Sequence, residues 1–489
     1  MDIKSNLFTV DHYELGGQSE TIVAGGRHLF DKLPQAFSGI KNIAVIGWGS
    51  QGPAQAQNLR DSLKDSDINV CVGLRSDSPS WSAAKSAGFC EEDGTLGEMF
   101  AVLKKADLAI ILISDAAQAQ LYKAIFSALK PGATLAFSHG FLIGYLESTN
   151  TEIRDDINII AMCPKGMGAS VRRLYEQGKE VNGAGINSSI AVYQDINGKA
   201  TDYALAWAIA CGAPFVFPTT MEMEYRSDIF GERGVLLGAV HGIVEVLYRY
   251  FTGLGISDKE AFNKTAESIT GAISKTISTQ GLKAVYEKLS AKEKQTFKNA
   301  YNAAYTPLFD ILIEIYEEVQ NGNEIRSVIL AGQRHNRLPM GKIDDTEMWK
   351  IGEKVRASRD QTSTRIDPIT AGIYLACIMA QVDVLTEKGH SYSEIVNESI
   401  IEAVDSLNPY MHYKGIAYMV DNCSTTARLG ARKWAARFDY NLMQQALPKL
   451  YQAASEGSAA FDAFFSHPVH QALAVCSTLR PSVDISVVA

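Results

Sequence analysis

Two pairs of acidic residues have the spacing of metal ligands on a helix. Asp228 and Glu232 are four positions apart, and so are Glu398 and Glu402, which places both members of a pair on one helix face. Like charges at this spacing repel by roughly 0.2–0.5 kcal/mol, a cost that an ordinary solvated helix face also tolerates. If the pairs converge they need cations, and carboxylates without Cys or His favour Mg²⁺ over Zn²⁺.

A faint internal repeat gives a reason for the two acid pairs to converge. Residues 255–263 (GISDKEAFN) and 389–397 (GHSYSEIVN) share Gly, Ser, Glu and Asn at matched positions, and 244–247 (VEVL) resembles 382–385 (VDVL). These matches favour duplication of a helical unit. In a duplicated bundle the copies can face each other across a pseudo-twofold axis, which would bring the acid pairs together.

A glycine-rich loop lies between a predicted strand at 43–46 and a predicted helix at 53–60. Its pattern is G-x-G-x-x-G, which lets the backbone approach a pyrophosphate at the helix N-terminus. The alternative is a tight turn without a ligand. The residues that we expect to bind a dinucleotide here are Gly47, Gly49, Ser50, Gln51 and Gly52.

The next predicted strand, at 69–74, ends where an NAD enzyme would carry an acid for the ribose 2′-hydroxyl. The chain has Arg75, Ser78 and Ser80 there instead. A guanidinium with nearby hydroxyls suits a 2′-phosphate, so we predict NADP(H) rather than NAD. An exposed arginine on a polar loop is the alternative.

Three more predicted strands, at 108–113, 134–137 and 157–163, are each followed by polar residues. In an open α/β sheet the carboxyl ends of the strands face the ligand crevice. Position alone therefore makes candidate site residues of Ser114, Gln118, His139 and Lys165. A lysine at a strand end could stabilise an oxyanion or relay a proton. The alternatives are that His139 is an ordinary structural histidine and that Lys165 is an ordinary surface lysine.

The order of predicted elements indicates two architectures. From about residue 41 to 217, short β-branched runs alternate with helical patterns, which predicts an α/β Rossmann-like domain. After about residue 220 the pattern is all-α, with apolar helical segments at 229–250, 308–320 and 371–387. A polar linker at 357–369 is a candidate boundary inside the helical part.

The composition is that of a multidomain globular protein. The chain has 489 residues, of which 46% are hydrophobic, and a net charge of −9. The length predicts two or three domains, and the negative charge argues against nucleic acid or an anionic membrane as partner. Seven cysteines without a C-x-x-C motif indicate reduced core residues. We expect no membrane span and no signal or transit peptide at the N-terminus.

Six blocks of sequence are long and ordered enough to indicate a family. They are 46–58 (IGWGSQGPAQAQN), 163–168 (CPKGMG), 179–189 (KEVNGAGINSS), 227–234 (SDIFGERG), 390–399 (HSYSEIVNES) and 421–428 (DNCSTTAR). Together they resemble ketol-acid reductoisomerase, in the plant-type branch of its long form, over nearly the whole chain.

The resemblance implies a fold and an activity. The fold would be an NADPH-binding Rossmann-like domain at 1–220, followed by a knotted helical domain with its two copies at 221–365 and 366–489. The activity would convert 2-acetolactate or 2-aceto-2-hydroxybutyrate to a 2,3-dihydroxy-3-alkyl acid, by Mg²⁺-dependent alkyl migration and then NADPH reduction. A homo-oligomer is implied, located in the cytoplasm of a prokaryote or the plastid stroma of a plant or alga.

The resemblance also implies residue roles. Asp228 would bridge two Mg²⁺ ions, Glu232 would bind one of them, and Glu398 and Glu402 would complete the site. Glu402 would also act on the substrate hydroxyl, and Ser424 would bind the substrate carboxylate. The residues implied near the metals, the nicotinamide and the 2′-phosphate are Lys165, His139, Arg75, Ser78 and Ser80.

Two other readings remain at this point. A hydroxyacid dehydrogenase with a Rossmann domain, a helical domain and a catalytic lysine would use the acids only structurally, and would work without metal. A non-enzymatic NADPH-binding sensor would bind the coenzyme without Mg²⁺-dependent turnover.

Overall fold

The computed structural model describes residues 2–359, 365–451 and 459–483. They form two compact units. The first contains residues up to 14, 18–225 and 475–483, and the second contains 15–17 and 226–474. The linker predicted at 357–369 falls partly on 360–364, outside the described residues.

The first unit is built on a mostly parallel sheet. Within the described residues the sheet has ten strands, in the order β1-β2-β10-β9-β8-β7-β6-β3-β4-β5. Pairing is parallel from β8 to β5, whereas β9 runs antiparallel to β8, and β2 antiparallel to β10. The strands are β1 Asp11–Leu15, β2 Gln18–Ala24, β3 Asn42–Ile46, β4 Asn69–Leu74, β5 Leu96–Glu98, β6 Leu108–Ile111, β7 Thr134–Phe137, β8 Asn158–Pro164, β9 Ser188–Gln194 and β10 Phe215–Pro218.

Helices cover both faces of this sheet, as predicted. Alternate residues of β3 belong to different cores: Ile43 and Val45 pack on one side, Ala44 and Ile46 on the other. Such two-sided burial explains why the parallel strands are continuously apolar. The helices of this unit are α1 Leu33–Ala36, α2 Gly52–Ser62, α3 Trp81–Ser86, α4 Met99–Leu103, α5 Asp115–Ala128, α6 Phe141–Ser148, α7 Gly168–Gln177 and α8 Ala200–Ala210.

The five strands predicted before Thr220 are all present. Those at 43–46, 69–74 and 134–137 fall within β3, β4 and β7, while β6 ends at Ile111, two residues before the predicted end. The strand order reverses between β3 and β6, where Ile46 pairs with Ile111. In sheets of this topology the ligand crevice opens beyond the carboxyl ends at such a reversal.

The second unit is helical. Helix α9 Met221–Arg233 begins in the first unit and ends in the second, and α23 Val469–Thr478 begins in the second unit and ends in the first. The helices between them are α10 Gly238–Gly253, α11 Asp258–Phe262, α12 Ser274–Gln280, α13 Leu282–Glu287, α14 Ala291–Gln320, α15 Asn323–His335, α16 Glu347–Ser358, α17 Pro368–Glu387, α18 Tyr392–Val396, α19 Asn408–Lys414, α20 Ile416–Asn422, α21 Thr425–Asn441 and α22 Ala459–Ser466. π-helical turns occur at Asn263–Ile273, Asn397–Ile401, Ala403–Leu407 and Leu442–Ala446.

The predicted internal repeat appears as a repeated order of elements. Helices α10 to α14 of the first copy correspond to α17 to α21 of the second, and each copy has π-helical turns after its second helix. Gly255 and Gly389, at matched positions, have φ of +82° and +81°, a conformation that glycine adopts without strain. The copies are interlaced, because α10 packs on α21 and α17 packs on α14. The knot implied by the resemblance stays a prediction.

One helical prediction was wrong in detail. The segment 229–250 is not one helix, because α9 ends at Arg233 and α10 begins at Gly238. The Gln381 side chain interrupts it: its Oε1 accepts a 2.8 Å hydrogen bond from Val235 N–H. A Cβ at Gly234 would lie 2.1 Å from the same oxygen, so glycine is required for this approach.

Two stretches, 221–253 and α17, are long and apolar enough to span a membrane by length and composition. In each stretch, 83% of an apolar segment of 18 residues is buried inside the protein. Burial of this extent is the pattern of core helices.

Candidate functional site

The three glycines of the 47–52 loop serve different purposes. Gly47 has φ of +110°, and a Cβ there would lie 2.7 Å from the Leu112 carbonyl oxygen. A Cβ at Gly52 would lie 2.3 Å from the Gly47 carbonyl oxygen. At Gly49 the nearest atom in the described part of the chain would be 4.0 Å away. Packing thus requires Gly47 and Gly52, whereas Gly49 leaves room for a ligand against the backbone.

A second loop braces the glycine loop. Gln51 Nε2 donates a 2.8 Å hydrogen bond to the Gly166 carbonyl. A Cβ at Gly168 would lie 1.9 Å from the Ser50 carbonyl oxygen. The conformation of Ser50 and Gln51 therefore depends on the loop that follows β8, which also carries Lys165.

Arg75 extends from the turn between β4 and α3. The turn is held by two hydrogen bonds to the Arg75 carbonyl, from Ser78 N–H at 3.0 Å and from Trp81 Nε1 at 2.7 Å. The Arg75 side chain is 65% exposed, and its Nη1 is 3.9 Å from Asp77. A hydrogen-bonded turn thus carries an exposed guanidinium, and Ser78 and Ser80 follow it in the same loop, a set of donors that suits a phosphate.

The side-chain nitrogen of Gln118 makes a hydrogen bond, whereas its side-chain oxygen makes none among the described residues. Its Nε2 donates a 2.9 Å hydrogen bond to the Ile113 carbonyl, and its backbone N–H donates to Ser114 O at 2.9 Å. Its Oε1 is buried and has no hydrogen-bond partner among the described residues. A buried acceptor in the first turn of α5 fits a bound coenzyme that carries a donor group.

His139 and Lys165 meet at Glu224, the fourth residue of α9. Glu224 Oε2 lies 3.2 Å from His139 Nδ1 and accepts a 2.6 Å hydrogen bond from Gly140 N–H. Its Oε1 lies 3.5 Å from Lys165 Nζ. Burial alone would raise the pKa of Glu224, but the charges of His139 and Lys165 and these hydrogen bonds outweigh it and lower the pKa.

Glu224 was missed by reasoning from the sequence. The signal was present, because Glu224, Asp228 and Glu232 form a run of acids at every fourth position. All three belong to α9, so they share one helix face. Only the last two were recognised as a pair.

In the second unit, α9 lies against the segment that carries the second acid pair. Ser227 Oγ donates a 2.9 Å hydrogen bond to Glu394 Oε1. A Cβ at Gly231 would lie 3.5 Å from the Glu398 carbonyl oxygen. Since Asp228 and Glu232 directly follow Ser227 and Gly231, the structure brings the two acid-bearing segments together.

A buried hydrogen-bond chain supports this contact from behind. Glu394 Oε2 lies 3.0 Å from His390 Nδ1, and His390 Nε2 lies 2.8 Å from Tyr316 Oη. His390 and Glu394 are buried. The chain joins α14 and α18 to Ser227 of α9 and therefore fixes how α9 meets the second copy.

Glu398 lies in a π-helical turn, and Glu402 is an α-helical residue between two such turns. Glu398 belongs to the turn Asn397–Ile401, and Glu402 separates it from the turn Ala403–Leu407. Glu398 is fully buried and Glu402 is 9% exposed. π-helical turns are rare and occur often at functional sites.

Glu232 is held at both carboxylate oxygens. Its Oε2 accepts a 2.9 Å hydrogen bond from Arg233 Nη1, and its Oε1 lies 3.4 Å from Ser424 Oγ. Ser424 is the N-cap of α21 and also accepts from Ala427 N–H. The predicted metal ligand and the predicted substrate-binding serine are therefore neighbours.

The residues fit a hard divalent cation. Asp228, Glu232, Glu398 and Glu402 offer only carboxylate oxygens, the donors that Mg²⁺ prefers. Buried carboxylates such as Glu398 are costly unless cations compensate their charge.

Two family models match the chain. Residues 39–215 match the model described as acetohydroxy acid isomeroreductase, NADPH-binding domain. Residues 221–361 and 368–471 match the model described as ketol-acid reductoisomerase, C-terminal domain. The first match includes the glycine loop and Arg75, and the second includes the four acids and Ser424.

Similar proteins agree with these models. The chain is 58% identical over 497 residues to the chloroplastic ketol-acid reductoisomerase of Spinacia oleracea, covering 100% of this chain and 84% of that protein. It is 57% identical over 496 residues to the chloroplastic enzyme of Pisum sativum, covering 100% and 85%. A solved NADH-preferring ketol-acid reductoisomerase from an uncultured archean matches with a TM-score of 0.55 and 26% identity, over 65% of this chain and 95% of that one.

Proposed function

Because the chain belongs to the ketol-acid reductoisomerase family of branched-chain amino acid biosynthesis, we propose that Asp228, Glu232, Glu398 and Glu402 hold two Mg²⁺ ions for the isomerisation step. Asp228 bridges the ions, Glu232 binds one, and Glu398 and Glu402 complete the set. The observation that carries this proposal is the contact of α9, at Ser227 and Gly231, with the segment of Glu394 and Glu398.

The proposed metal site accounts for the chemical requirement of the reaction. The alkyl shift must ionise a tertiary alcohol while the neighbouring ketone is polarised, and two bound Mg²⁺ ions would supply both effects. Glu402 accepts the proton of the substrate hydroxyl, and Ser424 Oγ donates a hydrogen bond to the substrate carboxylate. Ser424 thereby fixes which end of the substrate meets Glu232.

The coenzyme supplies hydride for the reduction that follows. We propose that Gly49, Ser50 and Gln51 hold its pyrophosphate, and that Ser114 and Gln118 contact it at the ends of β6 and α5. His139 or Lys165, both in contact with Glu224, would then donate the one proton that the ketone oxygen takes up as its carbon accepts hydride.

The choice of NADPH over NADH is a proposal about Arg75, Ser78 and Ser80. The solved relative is described as NADH-preferring, so coenzyme choice varies in the family and must be inferred from the chain itself. An exposed guanidinium on a hydrogen-bonded turn, with two hydroxyls beside it, favours a 2′-phosphate.

The remaining features rest on the family resemblance and on the net charge of −9. We propose a homo-oligomer acting on 2-acetolactate and 2-aceto-2-hydroxybutyrate, with neither nucleic acid nor membrane as partner. The plastid stroma is the proposed location if the source is a plant or alga, as for the two chloroplastic enzymes, and the cytoplasm if it is a prokaryote. We propose domains at 1–220, 221–365 and 366–489.

A coupled assay tests the proposal. Purified protein with 2-acetolactate and NADPH should lose NADPH absorbance when Mg²⁺ is present and not in excess EDTA. Equal rates in EDTA would favour the metal-independent dehydrogenase and exclude the metal assignment. Coenzyme binding without any turnover would favour a sensor.

A further inference from the structure

We propose that Arg233 and Glu324 are positioning residues that fix the carboxylate of Glu232 in one orientation. This inference rests on the proposed function, in which Glu232 is a metal ligand. Neither residue was among the site residues expected from the sequence.

Arg233 joins two carboxylates. It is the last residue of α9 and is fully buried. Its Nη1 donates to Glu232 Oε2 at 2.9 Å, and its Nε donates to Glu324 Oε2 at 2.9 Å. Because the guanidinium is planar and rigid, fixing it on the Glu324 side also fixes the donor that reaches Glu232.

Glu324 is itself held on its other oxygen. It is the second residue of α15 and is 1% exposed. Its Oε1 accepts a 3.1 Å hydrogen bond from Trp434 Nε1 and another from Lys433 Nζ, both on α21. Burial would raise the pKa of Glu324, but the charges of Arg233 and Lys433 outweigh it and lower the pKa. Glu324 is therefore an anion that anchors Arg233.

The backbone of α21 leaves space for this arrangement. A Cβ at Gly430 would lie 2.6 Å from Arg233 Cζ, so only glycine allows the guanidinium to lie there. The same helix begins after Ser424, whose Oγ lies 3.4 Å from Glu232 Oε1. One helix thus accommodates Arg233 and carries the serine beside Glu232.

The consequence is a carboxylate with two distinct oxygens. Oε2 of Glu232 accepts a hydrogen bond from Arg233, whereas Oε1 lies next to Ser424 Oγ. Glu324 also balances the charge of Arg233, so that Glu232 keeps its attraction for a cation. Hydrogen-bonded partners behind metal ligands typically change metal affinity by about 10–100-fold when mutated.

Glu324→Gln tests this inference, with Mg²⁺ binding measured by isothermal titration calorimetry in the absence of substrate. The variant keeps the shape of the side chain and removes its charge. We expect the Mg²⁺ dissociation constant to rise by about 10-fold or more. Arg233→Lys keeps the positive charge but loses the planar guanidinium that donates to both Glu232 and Glu324. It should therefore raise the Mg²⁺ dissociation constant by a similar factor. An ion pair with only a structural role would leave that constant unchanged.

Glu267→Gln is the matched control. Glu267 is 2% exposed and accepts a 2.7 Å hydrogen bond from Arg359 Nη1, so it is an equally buried glutamate paired with arginine in the same unit. We expect it to lower the melting temperature and to leave Mg²⁺ affinity within about twofold.

Three results would count against the inference. Normal Mg²⁺ affinity in folded Glu324→Gln overturns it, as does normal affinity in Arg233→Lys if the first variant does not fold. An equal loss in Glu267→Gln also overturns it, because the effect would then be general destabilisation. If the unmodified protein bound no Mg²⁺, the proposed function would fail first and this inference with it.

Discussion

The carboxylate of Glu224 lies 3.5 Å from the ammonium nitrogen of Lys165, and both side chains are buried. The other oxygen of Glu224 lies 3.2 Å from His139 Nδ1. One acid thus holds the two residues that follow β7 and β8. Glu224 belongs to α9, and Asp228 follows it by four residues on the same helix.

Glu224→Gln should lower the free energy of unfolding. It should also make that free energy fall less steeply as the pH is lowered. Removing one partner of a buried ion pair costs about 3–5 kcal/mol. The pKa of Glu224 is lowered on folding, so its contribution is fully present above its ordinary pKa of 4.5 and is lost as pH falls through the lowered value. Urea unfolding between pH 7 and the lowest pH at which the protein folds should therefore show a shallower loss in the variant.

Glu152→Gln is the control for that experiment, since Glu152 is an exposed acid in the same unit. Its unfolding free energy should follow that of the unmodified protein at every pH. An identical pH profile for Glu224→Gln would show that Glu224 is not the ionised centre of the cluster.

Gly49→Ala and Gly52→Ala should separate coenzyme binding from folding. At Gly49 the added methyl meets no described atom nearer than 4.0 Å, whereas at Gly52 it lies 2.3 Å from the Gly47 carbonyl oxygen. Gly49→Ala should fold with an unchanged melting temperature but bind NADPH about 10-fold or more weakly, as expected for loss of close backbone approach. Gly52→Ala should lower the melting temperature. If NADPH affinity were normal in Gly49→Ala, the loop would not be the pyrophosphate site.

Arg75→Ala should change coenzyme preference. A hydrogen bond to a charged group contributes about 1.5–3 kcal/mol, so the Michaelis constant for NADPH should rise by about 10-fold or more and that for NADH should change little. Steady-state kinetics with both coenzymes provides the measurement. The control is Asp77→Asn, which removes the acid 3.9 Å from Arg75 and should not weaken NADPH binding. Parallel increases for NADPH and NADH in Arg75→Ala would exclude a 2′-phosphate role.

Local sequence patterns were sufficient for much of the fold. The strand at 69–74 matched β4 residue for residue, because buried parallel strands are continuous apolar runs. The repeat was also visible, since Gly255 and Gly389 mark equivalent turns. Their separation of four residues identified Asp228 and Glu232 as a pair without any knowledge of their partners.

Long-range contacts account for what was missed. Glu224 meets residues 85 and 59 positions away along the chain, and Arg233 meets Glu324 91 positions away. No local pattern reports such pairs. The break between α9 and α10 depends on Gln381, 146 residues from Val235. The π-helical turns on either side of Glu402 were not predicted, because a spacing of four residues indicates a helix without distinguishing its type.

The most direct test of the central claim uses Asp228→Asn with two substrates. One is 2-acetolactate, which requires both steps, and the other is 3-hydroxy-3-methyl-2-oxobutanoate, the ketone that the alkyl shift produces, which requires only reduction. If Asp228 bridges both Mg²⁺ ions, loss of its charge removes a ligand from each ion and weakens the binding of both, and NADPH consumption should be abolished with either substrate while the variant stays folded. Consumption of NADPH at the unmodified rate with the rearranged ketone, or with 2-acetolactate, would contradict a bridging role for Asp228.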